Sequence, residues 1–318
     1  MALSSLPIVN RRRMLQRSAV GFGSVALSAM LQSNSVFAER PDSCHFPPRA
    51  KRVIFLFMKG GPSHMDTFDY KPKLQEDDGK ELPFDKPRVT FAATGNLLAS
   101  PWKFQQYGES GIHVSELFPH VAQRVDDICF LNSVHGTNAA HGGALLKLHT
   151  GSDTFVRPSM GAWVQYGLGT ENENLPGFIT ICPTLAHGGV NNWGSAFLPA
   201  ECQGVPLGVA SQPSSSAQVK YISNSKWSPA QQQRQLAMLE EMNRDHLQEA
   251  AVEPSLEARI RSFELAFRMQ TEMPIAQDFS EETSATLSLY GLDDPMTEDF
   301  GRQCLMARRF AERGVRFI

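Results

Sequence analysis

Two hydrophobic rhythms alternate along the chain. The run "VIFLFM" at residues 53–58 is apolar without polar alternation, the pattern of a parallel strand covered on both faces. Comparable runs are "DDICFLNSV" at 126–134 and "GFITICP" at 177–183. A helix is predicted over 115–124, and another begins near His141. After Ser228 the rhythm becomes helical, with Leu236, Leu239 and Met242 spaced along one face and charges between them. Helices are predicted over 228–248, 254–273, 280–289 and 298–313. Gly314 stops the last one, and residues 315–318 read as the first half of another buried strand, so the chain is taken as incomplete. Strands alternating with helices define an α/β sheet rather than a sandwich of two sheets.

Between these elements the pattern loosens. Residues 69–102, rich in charge and proline, are expected to wrap the surface. Residues 184–226 read as a long excursion near the carboxyl ends of the strands, and "SQPSSSAQ" at 211–218 reads as a plain surface loop.

Composition adds limits. In 318 residues, 42% are hydrophobic and 20% charged, enough for a sizeable core and unlike a disordered chain. The net charge of -3 leaves no basic stripe for nucleic acid. The basic run Arg11 to Arg13 belongs to a different device. Twin arginines, an apolar stretch over 19–31 and a small-residue exit at Val36, Phe37 and Ala38 make a twin-arginine export signal, residues 1–38, whose partner is the translocase. That stretch is too short and too glycine-rich for a stable membrane span. The organisation is then signal 1–38, linker 39–51 and one domain over 52–318, in the periplasm or secreted. Cys44, Cys129, Cys182, Cys202 and Cys304 show neither a disulfide framework nor zinc spacing, and Cys129 and Cys182 are expected as small core residues.

Candidate chemistry sits at two strand exits. In open α/β sheets the ligand crevice lies beyond the carboxyl ends of the strands. There "KGGPSHMDTFD" offers His64, Asp66 and Asp69 as nitrogen and oxygen ligands for a divalent metal, with zinc, calcium and magnesium not distinguished. Asp66 capping a turn and Asp69 facing water is the structural alternative. The second exit, "HGTNAAHGGALLKLHTG", offers His135, Asn138 and His141 ahead of a helix whose N-terminus would favour an anion such as a phosphate or sulfate ester. His149, on the last turn of that helix, reads as structural. His45, His113, His120 and His246 stand without companions.

The stretches "VIFLFMKGGPSHMDTFDYKPKL", "RPSMGAWVQYGLGTENENLPGFITI" and "CLMARRFAERGVRFI" are similar to the bacterial family called domain of unknown function 1501, over essentially all of the chain after the signal. That family resembles, more distantly, the alkaline phosphatase and sulfatase superfamily. The resemblance implies a three-layer α/β sandwich with a mostly parallel sheet and a metal site at the strand ends. It makes Asp66 the early aspartate ligand, with His64 and Asp69 as neighbours, and puts His141 where sulfatases carry a cysteine or serine nucleophile. The helix lacks the proline and arginine context of that nucleophile, and "CLMAR" at 304–308 lacks the proline. The superfamily's late aspartate and histidine ligands have no counterpart in these 318 residues.

Three functions are consistent with this reading. One is a metal-dependent hydrolase of small-molecule or polysaccharide phosphate or sulfate esters, with His141 as nucleophile, as acid and base, or as a ligand. Another is a binding protein gripping an exported polysaccharide through Trp102, Trp163, Trp193 and Trp227. The third is an inactive fragment.

Overall fold

The computed structural model describes residues 47, 49–58, 60–86, 93–220, 222, 226–249 and 254–318. The export signal expected over residues 1–38 lies outside the described residues. Residues 52–318 form one compact unit of mixed helix and strand.

The first part of the unit centres on a hairpin. Strand β1, Phe104–Tyr107, pairs antiparallel with β2, Ile112–Ser115. Its turn is held by the Asp126 carboxylate, which accepts from the backbone N–H groups of Glu109 and Ser110 at 2.9 and 3.0 Å. Val114, Ala122 and Val125 are buried beneath it, with Phe68 and Phe118 packed alongside. Two short helices belong to this region, α1 (Pro72–Glu76) and α2 (Pro119–Ala122). The helix expected over 115–124 is thus only one turn, because Ser115 is spent in the hairpin and Pro119 opens the helix.

The second part holds four parallel segments. Strand β3, Ile179–Ile181, pairs with β4, Val205–Leu207. On its other side residue Phe317 bridges Phe178, and Phe317 in turn bridges Val53. Backbone bonds from Val53 to Arg316, Phe55 to Ile318 and Ile318 to Val53, at 2.7–3.0 Å, extend that pairing. Strand β4 was not foreseen. It lies inside the long excursion and contains Pro206, which a central strand would not tolerate but an edge strand does.

Helices α3 (His141–Thr150) and α4 (Met160–Leu168) precede β3, and α5 (Pro229–Glu249), α6 (Pro254–Gln277), α7 (Ser284–Leu289) and α8 (Glu298–Glu312) follow β4. Helix α4 begins where the Ser159 hydroxyl accepts from the Ala162 N–H, and α3 ends at Gly151 with φ of 76°. The main core joins Ile179, Leu207, Met273, Met306, Phe310 and Val315 from β3, β4, α6, α8 and the last segment. Gly161 lets α4 lie directly on the Phe178 ring; a Cβ there would sit 2.6 Å from it. No described helix is long and apolar enough to cross a membrane.

Several expectations are corrected. The 53–58 segment is not covered on both faces: Ile54, Leu56 and Met58 are 42%, 59% and 48% exposed, since among the described residues only one backbone edge of the segment is paired. Residues 126–134 form no strand; Leu131 and Val134 are exposed, as is Cys129, because the stretch has no ladder partner among the described residues. Cys182 lies just beyond β3 and is half-buried. The loop at 211–218 lies on the surface as expected, but it is anchored: the Asp299 carboxylate takes the Ser214 N–H at 2.6 Å, and Ser214 and Ala217 are buried. Helix α7 starts four residues later than predicted, where Thr283 supplies the cap. Helix α5 forms as predicted, but Leu239 and Met242 on its apolar face are exposed.

Candidate functional site

The acidic loop packs on the hairpin. His64–Asp66 is one turn of 3-10 helix, the next residue, Thr67, is buried, and its carbonyl accepts from Ser115 N at 2.9 Å. The Phe68 ring lies 4.9 Å from Phe118 and 5.8 Å from Phe130. Within this turn His64 Nε2 is 3.7 Å from Asp69 Oδ2, while Asp69 Oδ1 is engaged by Lys71 Nζ at 2.9 Å. The Asp66 carboxyl is held below the usual range, first by the Ser100 hydroxyl and then by that of Ser63. Each carboxylate therefore has partners already, and no three metal-ligating side chains converge among the described residues. As arranged, His64, Asp66 and Asp69 do not fit a divalent ion.

The second constellation is differently built. Helix α3 starts at His141, and its ring lies 5.2 Å from that of His187. His187 comes from the "AHGG" turn of residues 186–189, where His187, Gly188 and Gly189 all have positive φ (54°, 100° and 56°). For histidine this conformation costs on the order of 1–3 kcal/mol, a strain that concentrates at functional sites. The turn is held by Asn192, whose Nδ2 donates to the His187 carbonyl at 3.1 Å. The backbone of His187 approaches Gly142 closely, so a Cβ on that glycine would lie 3.9 Å from His187 Cα. His187 was missed because a lone histidine in a glycine turn carries no sequence signal; its neighbour is set 46 residues away by folding.

Asn138 and His135 play different parts. Asn138 Oδ1 accepts from Ala140 N at 2.9 Å, and its amide covers Gly143, so it shapes the entry to α3. It also bonds Asp153, helping hold that carboxyl low after the backbone N–H of Asp153 itself. His135 is exposed, with Nδ1 3.5 Å from the Ser133 carbonyl. No hydrogen bond or ion pair among the described residues joins the His64, Asp66 and Asp69 set to the His135, Asn138 and His141 set.

Beside α3 lies a cavity of about 620 Å³ that runs along the parallel segments, walled by residues from 54–58, β3, α3 and α8. Leu145 and His149 line it, one and two turns along α3 from His141, so these three residues share a stripe of the helix. His149 sits edge-on to the Phe55 and Phe57 rings at 5.6 and 4.9 Å, and burial lowers its pKa. Cys182 and Cys304 also face this space. Burial, with the charge of Asp299 adding to it, pushes the Cys182 thiol up to about 11, and burial likewise raises Cys304. Neither is poised as a thiolate nucleophile.

A mixed α/β unit with parallel segments, a cavity running along them and a histidine pair at a helix start defines the class of protein. Residues 50–318 match the family described as "Protein of unknown function (DUF1501)", and the chain belongs to that family. No curated protein and no solved structure matches it.

Proposed function

We propose that the protein is an exported hydrolase of phosphate or sulfate esters, acting where α3 begins. The observation that carries this reading is the His141 and His187 pair, with rings 5.2 Å apart at the N-terminus of a ten-residue helix. Free N–H groups and the positive end of the helix dipole favour an anionic ester group there. One imidazole takes a proton from a water that attacks the phosphorus or sulfur, or itself bonds that atom until a water displaces it, and the other gives a proton to the leaving oxygen as its ester bond breaks. No step here is routed through a metal ion, since no three metal-ligating side chains converge among the described residues. In this reading the fold is a three-layer, alkaline-phosphatase-like sandwich. Its support is that α6 and α8 pack on Ile179 and Leu207 while α4 packs on Phe178. Export follows from the twin arginines and the apolar stretch of residues 1–38, with the twin-arginine translocase as the partner.

A second reading, a polysaccharide-binding protein without catalysis, is favoured by one feature. Trp163, with Tyr166 and Phe197 at 6.1 and 5.9 Å, forms an exposed aromatic group of the kind that stacks on sugar rings. Trp193, by contrast, is buried.

The test is turnover of 4-nitrophenyl phosphate and 4-nitrophenyl sulfate by the full chain, its H141A and H187A variants and D66N. The hydrolase reading expects kcat to fall by roughly 10²–10⁴ in either histidine variant, with D66N changing little. Equal rates in all four proteins, or none above buffer, would discard it.

A further inference from the structure

Two residues that line the large cavity, Thr180 and Asn192, each carry a buried side-chain oxygen without a hydrogen-bond partner, Thr180 Oγ1 and Asn192 Oδ1. Asn192 is 7% exposed, and the bond from its Nδ2 to His187 O fixes the amide so that the oxygen is the free atom. Thr180 lies between Ile179 and Ile181, which face the main core, so strand alternation turns its hydroxyl the other way. Folded proteins leave few such groups unpaired, and two in one wall mark a place where a partner is expected.

The remaining lining says what kind of partner. Among the described residues its lining contains no lysine or arginine, and the carboxylate there, Asp299, already accepts from Ser214 N at 2.6 Å and Gln303 Nε2 at 2.9 Å. Phe55, Phe178 and Trp193 supply aromatic walls, and the volume suits a small organic molecule.

We propose that this cavity binds an uncharged, largely apolar small molecule bearing a hydrogen-bond donor, which meets Asn192 Oδ1 or Thr180 Oγ1. The cavity lining includes neither His141 nor His187, although Asn192 in its wall also holds the His187 turn, so T180V is the variant that leaves that turn intact.

The test uses the full chain and two probes of nearly equal shape. N-phenyl-1-naphthylamine carries one N–H, and 1-benzylnaphthalene replaces that group with CH₂. Binding is followed by quenching of Trp193, against a W193F control. The expected result is saturable 1:1 binding with the amine held roughly 2- to 10-fold tighter, the ratio one hydrogen bond supplies. That preference should collapse in T180V or N192A, and inorganic phosphate should not displace the amine. Equal affinity for the two probes on the unmodified chain would overturn the proposal without any variant being made. So would absence of saturation, a preference retained in both variants, or displacement by phosphate.

Discussion

Glu282 sits at the knot that joins α6 to α8. Its Oε1 accepts from both Arg308 and Arg309, and the Glu282 and Arg309 side chains are only 10% and 8% exposed. Arg309 also donates to the Ala276 and Ile275 carbonyls at 3.0 Å, closing the last turn of α6. Glu282→Gln keeps the volume but leaves the Arg309 guanidinium buried without its countercharge. Breaking one partner of a buried pair costs about 3–5 kcal/mol, a large part of a domain's total stability. At roughly 2–4 °C per kcal/mol for a domain of this size, Tm should fall by roughly 6–20 °C. Arg308 is half-exposed and retains Glu312 at 3.3 Å, so it softens the loss rather than adding to it. The pH dependence gives an independent readout. The two arginines, Arg308 first, hold the Glu282 carboxyl below its usual range. Its contribution is complete above the unfolded value of about 4.3 and is lost as pH falls through the lowered folded value. Thermal melts of both proteins from pH 7 to pH 3 should therefore converge on acidification. A Glu282→Gln protein that melts within about 1 °C of the parent at pH 7 would refute the reasoning, since solvent must then screen the pair as it does surface ion pairs.

Two further stability outcomes follow from the packing. Phe310, fully buried among Met273, Met306 and Val315, should cost about 3–5 kcal/mol when cut to alanine, read as a lower urea midpoint with unchanged slope. Ser159→Ala removes the cap of α4 and should cost about 1 kcal/mol in the same assay.

The sequence by itself determined the local elements. Helices α3, α5, α6 and α8 were legible from apolar spacing, with Gly314 as a stop, whereas α4 and its Ser159 cap were not read from the sequence. Strand β3 and the parallel pairing of 315–318 follow from short continuous apolar runs, because burial on both faces requires them. His141 at a helix start was legible for the same reason. Tertiary structure decided everything that depends on partners distant in the chain. The acidic turn of His64, Asp66 and Asp69 looked like a ligand set because its residues are close in sequence, yet Thr67 and Phe68 anchor it to the hairpin, and Ser100 and Lys71 occupy its carboxylates. His187 joined His141 only through the strained turn that Asn192 holds. The cavity exists because β3, α3 and α8 meet along the parallel segments, a juxtaposition that no local pattern encodes. Periodicity reports which face of an element is buried; it does not report against what.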